Sequence, residues 1–129
     1  MKKSDFATLV ADTVIPLDPT ARILDYYRNP PGRGVSAERR AMANWLNGLS
    51  DEDRARIAFL MADQRQAAVF SVLAFLDDGE QYRDGEVVGE LRLEYHDKDG
   101  TVTHLNDFKG EDLHDLFNDA IKARKTADD

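Results

Sequence analysis

The feature that most constrains this fold is the stretch from Ser50 to Asp78, which contains no glycine and no proline. Ser50, with Asp53 three residues later, can satisfy the free N–H groups of a first helical turn. Gly79 is the first residue that interrupts the run. The sequence therefore predicts one helix of roughly 27 residues, about 40 Å long at a rise of about 1.5 Å per residue.

The two halves of this long helix differ in their apolar pattern. The first half is amphipathic, with Ile57, Leu60 and Met61 on one side. Residues 67–76 contain one hydroxyl and no charge, so we expect the rest of the chain to cover the second half on nearly all sides. The run is too short to span a bilayer, which takes about 20 apolar residues.

Four polar residues, at positions 63–66, separate the two halves of the long helix. They indicate either a solvated face with a slight kink or a buried polar network that lines a partner site. In the second case Arg65 and Gln66 would be the residues to mutate. The sequence leaves both interpretations open.

Three shorter helices are predicted before the long one. The first begins at Ser4 and ends near Pro16, the second begins at Asp18 and Pro19, and the third begins at Ser36. The second helix stops at the Asn-Pro-Pro sequence of residues 29–31, because proline cannot continue a helix.

The apolar residues of these three helices recur at helical spacing and are predicted to be buried. Gly48 suits a left-handed end for the third helix, which would then form a hairpin with the long helix. We interpret Trp45 as a core residue that faces the long helix. The predicted buried residues are Phe6, Leu9, Val10, Thr13 and Val14 in the first helix, Ile23, Leu24 and Tyr27 in the second, and Met42, Trp45, Leu46 and Leu49 in the third.

After the long helix the apolar period changes to two. Leu91, Leu93 and Tyr95 alternate with polar residues in a strand that begins near residue 86. Asp77, Asp78 and Gly79 form one turn signal and residues 84–85 another, so residues 79–89 can be either strand or loop.

The strand pairing depends on the turn at residues 97–100. This segment fits a type I turn with Gly100 in the left-handed position, followed by a second strand over residues 101–105. The bulge at Gly100 places Tyr95 opposite Thr103 and Leu93 opposite Leu105. It also brings Leu91, Leu93, Tyr95 and Leu105 to one face.

A final helix begins around residue 110. Its early residues are acidic and its late residues basic, as the helix dipole favours. Its apolar stripe comprises Leu113, Leu116, Phe117, Ala120 and Ile121. The sequence thus predicts a mostly helical α+β fold in a single domain, with four N-terminal helices at 1–78 of which the fourth is the long central helix, a β-hairpin and C-terminal helix at 79–125, and a frayed tail at 126–129.

No motif in the chain predicts catalysis, a cofactor or a metal. Residues 97–101 resemble the D-x-D-G-T motif of phosphatases that attack phosphate with an aspartate. In that family the motif follows the first strand of a parallel sheet, so here we interpret it as a hairpin turn. His96, His104 and His114 lie in the last third of the chain, but nothing local brings them together as ligands.

The charge is unevenly distributed along the chain. Residues 1–66 carry 10 Lys and Arg against 9 Asp and Glu, whereas residues 67–129 carry 7 against 16. A strongly acidic second half repels nucleic acid and anionic membrane surfaces and attracts basic proteins. The alternative is that these acids only keep the protein soluble. The residues predicted to form an acidic partner-binding surface are Asp77, Asp78, Glu80, Asp84, Glu86, Glu90 and Glu94.

The chain contains no cysteine, which excludes disulfides and thiolate chemistry. Lys2 and Lys3 are followed by Asp5 and Asp12 and not by the apolar core of a signal peptide. The sequence therefore predicts a cytoplasmic protein.

Three classes of function fit these features. The first is a non-enzymatic protein-binding module of the inhibitor or immunity type, an analogy of size and charge in which the acidic surface and the start of the final helix meet a basic partner. The second is a structural homo-oligomer such as a homodimer, in which residues 67–76 exceed what one chain can cover. The third is a small enzyme or ligand carrier with a pocket between helices and hairpin that uses Arg65, Tyr82 or His104.

Overall fold

A computed structural model describes residues 1–18 and 22–127, without the side chains of residues 81, 126 and 127. The fold is the mostly helical α+β arrangement that the sequence predicts, with two separate antiparallel hairpins instead of one. In the described ranges the helices are α1 (Lys3–Val14), α2 (Asp25–Arg28), α3 (Ala37–Gly48), α4 (Asp51–Asp78) and α5 (Leu113–Ala127), and the strands are β1 (Glu80–Arg83), β2 (Glu86–Glu90), β3 (Glu94–His96) and β4 (Val102–His104).

The chain groups into two compact units. One, which we call the helical unit, comprises Ile15–Gln66. The other, the mixed unit, comprises Met1–Val14 and Ala67–Asp129. The helical unit ends at Gln66, the last of the four polar residues 63–66 of α4. Residues 63–65 are exposed, which agrees with the interpretation of a solvated face.

The predicted ends of the long helix are confirmed. The Ser50 hydroxyl accepts the Asp53 backbone N–H at 3.1 Å, and Gly79 adopts φ +62° directly after the last turn. Complete coverage of residues 67–76 is wrong, because only Leu73 is buried in that run. Val72 and Phe75 are more than half exposed on the opposite side of the helix.

The helical unit has a small core of Leu24, Leu46 and Ala58. The predicted start of α3 is confirmed, since the Ser36 hydroxyl accepts the Arg39 N–H at 3.2 Å. The start predicted for the second helix, at Asp18 and Pro19, involves residues 19–21, which lie outside the described residues. The helix ends at Arg28 as predicted, before the prolines.

Two predictions about α3 are wrong. The helix does not end in a left-handed glycine, because Gly48 is absent from the residues with positive φ and Leu49 follows in an extended conformation. Trp45 is 54% exposed instead of buried, since α3 turns Ala43 and Leu46 towards the core. Arg54 closes this end of the helix by donating to the backbone oxygens of Leu46 and Leu49.

In the mixed unit, α1 packs against α5. The stripe predicted for α5 is confirmed, with Leu113, Phe117 and Ile121 buried and Leu116 and Ala120 half-buried. The stripe predicted for α1 is wrong in part, because Ala7 and Ala11 are buried while Leu9, Thr13 and Val14 are exposed. These alanines allow the close approach of α5, whose Arg124 donates to the Ala11 carbonyl at 2.8 Å. The predicted start at Ser4 is also wrong, because α1 begins at Lys3 and includes Ser4.

The hairpin of β3 and β4 has the predicted register, with Tyr95 opposite Thr103. Gly100 has φ +91°, and the Leu105 N–H donates to the Leu93 carbonyl at 2.8 Å. The predicted strand from residue 86 to residue 96 is wrong in one respect, because residues 91–93 separate it into β2 and β3. Leu91, Leu93 and Tyr95 are nevertheless half-buried, with exposed residues between them, as the alternation predicts.

Among the described residues, no helix has both the length and the hydropathy that crossing a membrane requires.

Candidate protein-binding site

The residues that the sequence leaves as strand or loop form a hairpin of β1 and β2, which we call the acidic hairpin (residues 80–90). Its two-residue turn has positive φ at both positions, +52° at Asp84 and +82° at Gly85. This is the geometry of a type I′ turn, and Asp-Gly is among the sequences that favour it. The turn sets Arg83 opposite Glu86 and Tyr82 opposite Val87.

The acidic hairpin exposes apolar side chains. Tyr82 is 61% exposed, and its cross-strand neighbour Val87 and the adjacent Val88 are more than half exposed. A register shift between Gln81 and Tyr82 bends the ribbon next to this pair. An exposed aromatic and β-branched pair of this kind is typical of a contact surface, because tyrosine is enriched in the energetically important positions of interfaces.

Some of the carboxylates in and beside the hairpin already have polar partners. Glu80 accepts the Tyr82 hydroxyl at 2.5 Å, and Glu90 accepts the Arg92 guanidinium at 2.6 Å. Glu80 and Glu90 face each other across the two strands, a like-charge pair that Arg92 partly compensates. The hydrogen bond from Tyr82 to Glu80, together with the negative charges of Glu80 and Asp78, raises the pKa of the Tyr82 hydroxyl above its usual value of 10.0.

Three other predicted carboxylates, those of Asp78, Asp84 and Glu86, are exposed. No cation lies within ion-pair distance of these three in the part of the chain that the structure describes. Their charge is therefore available to a partner. Glu94 lies outside the acidic hairpin, on β3, where it contacts His96 at 3.0 Å and faces His104 on β4.

Asp77 has a structural role that the sequence prediction did not foresee. Its side chain is only 7% exposed, and its two oxygens accept the backbone N–H groups of Leu113 and His114 at 3.0 and 2.9 Å. Asp77 therefore caps the first turn of α5 from a position 36 residues earlier in the chain. Because its carboxylate is used in this way, it does not belong to the exposed acidic surface.

His114 completes this arrangement. Its Nδ1 lies 2.7 Å from Asp77 Oδ2, and its ring meets the edge of Phe70 at 5.2 Å between centroids. The hydrogen bond to Asp77 raises the pKa of His114 above its usual value of 6.5, against the opposing effect of burial. No local pattern in the sequence signals this pair, since its members lie on different helices.

Asn106 is the second residue that sequence reasoning missed. It is 2% exposed, and its oxygen accepts the Leu93 N–H at 2.7 Å. Its amide nitrogen donates to the carbonyls of Leu76 and Leu91 at 2.7 and 2.9 Å. One side chain thus joins the end of α4 to the segment between the two hairpins, which positions the acidic hairpin.

The histidines do not converge as the three ligands of one metal site. Asp112, His114 and Asp115 have ligand atoms within 4.8 Å of one another, but both carboxylates are exposed on the surface, and such a cluster does not by itself indicate a metal. His96 is exposed beside Glu94. His104 on β4 is half-buried, and its Nε2 is buried with no hydrogen-bond partner among the described residues.

Two further residues were predicted as polar groups of a ligand pocket, and both are exposed to solvent. Arg65 is exposed on α4, and Tyr82 is exposed on β1. Comparison with known proteins finds no protein-family model, no curated protein and no solved structure that matches this chain.

Proposed function

We propose that this chain is a non-enzymatic protein-binding module, of the inhibitor or immunity type, that docks its acidic hairpin on a basic protein. The observation that carries the proposal is the exposed Tyr82–Val87 pair with unpaired carboxylates beside it. Interfaces combine an apolar centre with a polar rim, and a charged rim accelerates encounter with a partner of opposite charge. The acidic hairpin supplies both parts.

The hairpin also has free strand edges. Each of its two strands pairs only with the other in the described structure, so each has one edge without a β partner. A two-stranded ribbon is marginally stable by itself, and its open edges can pair with an added strand. A basic partner that contributes such a strand would gain main-chain hydrogen bonds in addition to the contact with Tyr82.

The proposal is tested by neutralising the unpaired carboxylates. The variant Asp78→Asn, Asp84→Asn and Glu86→Gln keeps side-chain size, and asparagine suits the positive φ at position 84. The immobilised wild-type chain should retain a stoichiometric basic protein from a lysate of the source organism at low salt and release it at high salt. The variant should retain at least about tenfold less, since each close charge pair contributes to affinity.

A matched control removes the same charge elsewhere. Asp25→Asn, Asp63→Asn and Asp119→Asn alter three exposed carboxylates outside the hairpin. If the control variant lost as much retained protein as the hairpin variant, net charge alone would explain the loss. That result would contradict docking through the hairpin. Retention of no basic protein by the wild-type chain would contradict the proposal itself.

A structural homo-oligomer is a second candidate, and one observation favours it. Val72 and Phe75 lie one turn apart on α4 and are both more than half exposed, within a run that contains no charge. Apolar faces of this kind are commonly buried between subunits. This candidate requires a mass above 14.5 kDa in solution at every salt concentration.

A further inference from the structure

The helical unit contains an apolar groove of about 540 Å³. Its apolar lining consists mainly of Leu24, Tyr27, Met42, Trp45, Ile57 and Met61. Trp45 is 54% exposed and Met42 45%, so the groove is open to solvent along the α3 side. Methionine and tryptophan in an open groove are typical of surfaces that accept apolar side chains of another protein.

Two sets of contacts join α2 and α3, the two short helices that contribute to the groove. Arg28 on α2 donates to the Asn47 side chain at 2.8 Å, and Asn47 returns a hydrogen bond to the Arg28 carbonyl at 3.1 Å. The Arg39 guanidinium lies over the rings of Tyr26 and Tyr27, 5.3 and 5.6 Å from their centroids. Tyr27 and Arg39 both line the groove, so this stacking holds a cation at its edge.

The segment that contains α2 and α3, which forms one side of the groove, is basic. Residues 22–48 contain five arginines against Asp25 and Glu38, a net charge of +3, while the whole chain has −8. Arg39 and Arg40 have no carboxylate within ion-pair distance in the described ranges. Glu38 is the acidic residue of the lining. An occupant with acidic residues beside its apolar ones would therefore be attracted to this surface.

We propose that the apolar groove binds an acidic amphipathic helix of another protein. Apolar side chains at helical spacing would enter between Met42, Trp45 and Met61, and carboxylates beside them would meet Arg39. An open groove between helices suits this mode of recognition, in which a helix places its apolar face into the cleft. The proposal concerns a different surface from the acidic hairpin and does not depend on it.

The test is a selection from a peptide library displayed on phage. Each peptide has about 16 residues, or roughly 24 Å as a helix, with apolar residues fixed at i, i+3, i+4 and i+7. The other positions vary freely among Glu, Lys, Gln and Ala. The full-length chain should enrich acidic peptides, and these should change the fluorescence of Trp45, the only tryptophan of the protein. Enrichment of basic or neutral peptides, or of none, would overturn the proposal.

Two charge reversals locate the binding. Arg39→Glu should lower the affinity for the selected acidic peptides by about tenfold or more, because it places a negative charge at the edge of the groove. Lys98→Glu changes net charge equally at an exposed site outside the groove lining, in the turn between β3 and β4, and should alter affinity less than about twofold. Equal weakening by both would overturn the assignment to the groove. A Trp45 signal that depends on protein concentration alone, with a dimeric mass, would instead identify a second copy as the occupant and also overturn it.

Discussion

At the scale of single residues, two buried polar side chains carry long-range connections. Asn106 uses both its oxygen and its nitrogen, and it satisfies three backbone groups that would otherwise be shielded from water. A buried polar group without a partner costs about 1–3 kcal/mol, so the loss of this amide affects several groups together.

Asn106→Ala should therefore lower the free energy of unfolding by about 3 kcal/mol, because the Leu93 N–H and the carbonyls of Leu76 and Leu91 lose their partner. Urea denaturation followed by circular dichroism measures the change. Asn44→Ala, at an exposed position of α3, serves as control and should shift stability by less than about 0.5 kcal/mol. Similar values for the two variants would contradict the structural role of Asn106.

The pair of Asp77 and His114 predicts a pH dependence. Because folding raises the pKa of His114, the protonated ring stabilises the folded state. This contribution is fully present below the unfolded-state pKa, near 6.5, and it is lost as the pH rises through the raised folded-state pKa. His114→Asn keeps a neutral donor near Asp77 and should therefore destabilise the protein more at about pH 5.5 than at about pH 9.

The measurement is urea denaturation of wild type and variant at both pH values. His96→Asn changes an exposed histidine in the same way and provides the control. A destabilisation by His114→Asn that is the same at both pH values would show that the ring contributes packing against Phe70 and not its charge.

At the scale of elements, two glycines with different backbone angles should respond in opposite ways to replacement by alanine, one with a gain and one with a loss of stability. Gly48→Ala should stabilise the protein by about 0.5–1 kcal/mol, because Gly48 is helical and its added methyl group meets no atom within 4 Å. Gly100→Ala should destabilise it by about 1 kcal/mol or more, because Gly100 has φ +91° although the surrounding space is also open.

The midpoints of thermal unfolding of the two variants check this prediction. Since neither added methyl group clashes, the difference between them isolates backbone conformation from packing. A stabilising Gly100→Ala would mean that the bulge in the β3–β4 turn is not maintained in solution.

At the scale of the whole molecule, the exposed apolar side of α4 predicts behaviour that depends on concentration. If Val72 and Phe75 form a subunit interface, light scattering should give a mass at least twice 14.5 kDa, and Phe75→Glu should return it to the monomer value. Leu17→Glu introduces the same charge at an exposed leucine outside α4 and should leave the mass unchanged. A monomeric wild-type chain at high concentration would contradict the homo-oligomer.

The starts of α3 and α4 and the pairing of the second hairpin could be predicted from the sequence. Ser36 and Ser50 cap their helices as predicted, and the bulge at Gly100 sets the predicted register. These features depend on contacts between residues close in the chain, because caps and turns use hydrogen bonds within a few positions. The Asp-Gly turn of the acidic hairpin carries the same kind of signal, but it did not decide between strand and loop.

Which faces are buried, and which polar side chains have structural roles, depends on how the elements pack together. Periodicity identifies an apolar side of a helix but not how much of it a neighbour covers, so the exposure of Trp45 and Phe75 was not predicted. Likewise, nothing near Asp77 in the sequence distinguishes it from the other acidic residues. Its role is visible only in the fold, where its carboxylate accepts a backbone N–H of α5, 36 residues later in the chain. Burial and capping of this kind depend on contacts between distant segments, which no local pattern in the sequence encodes.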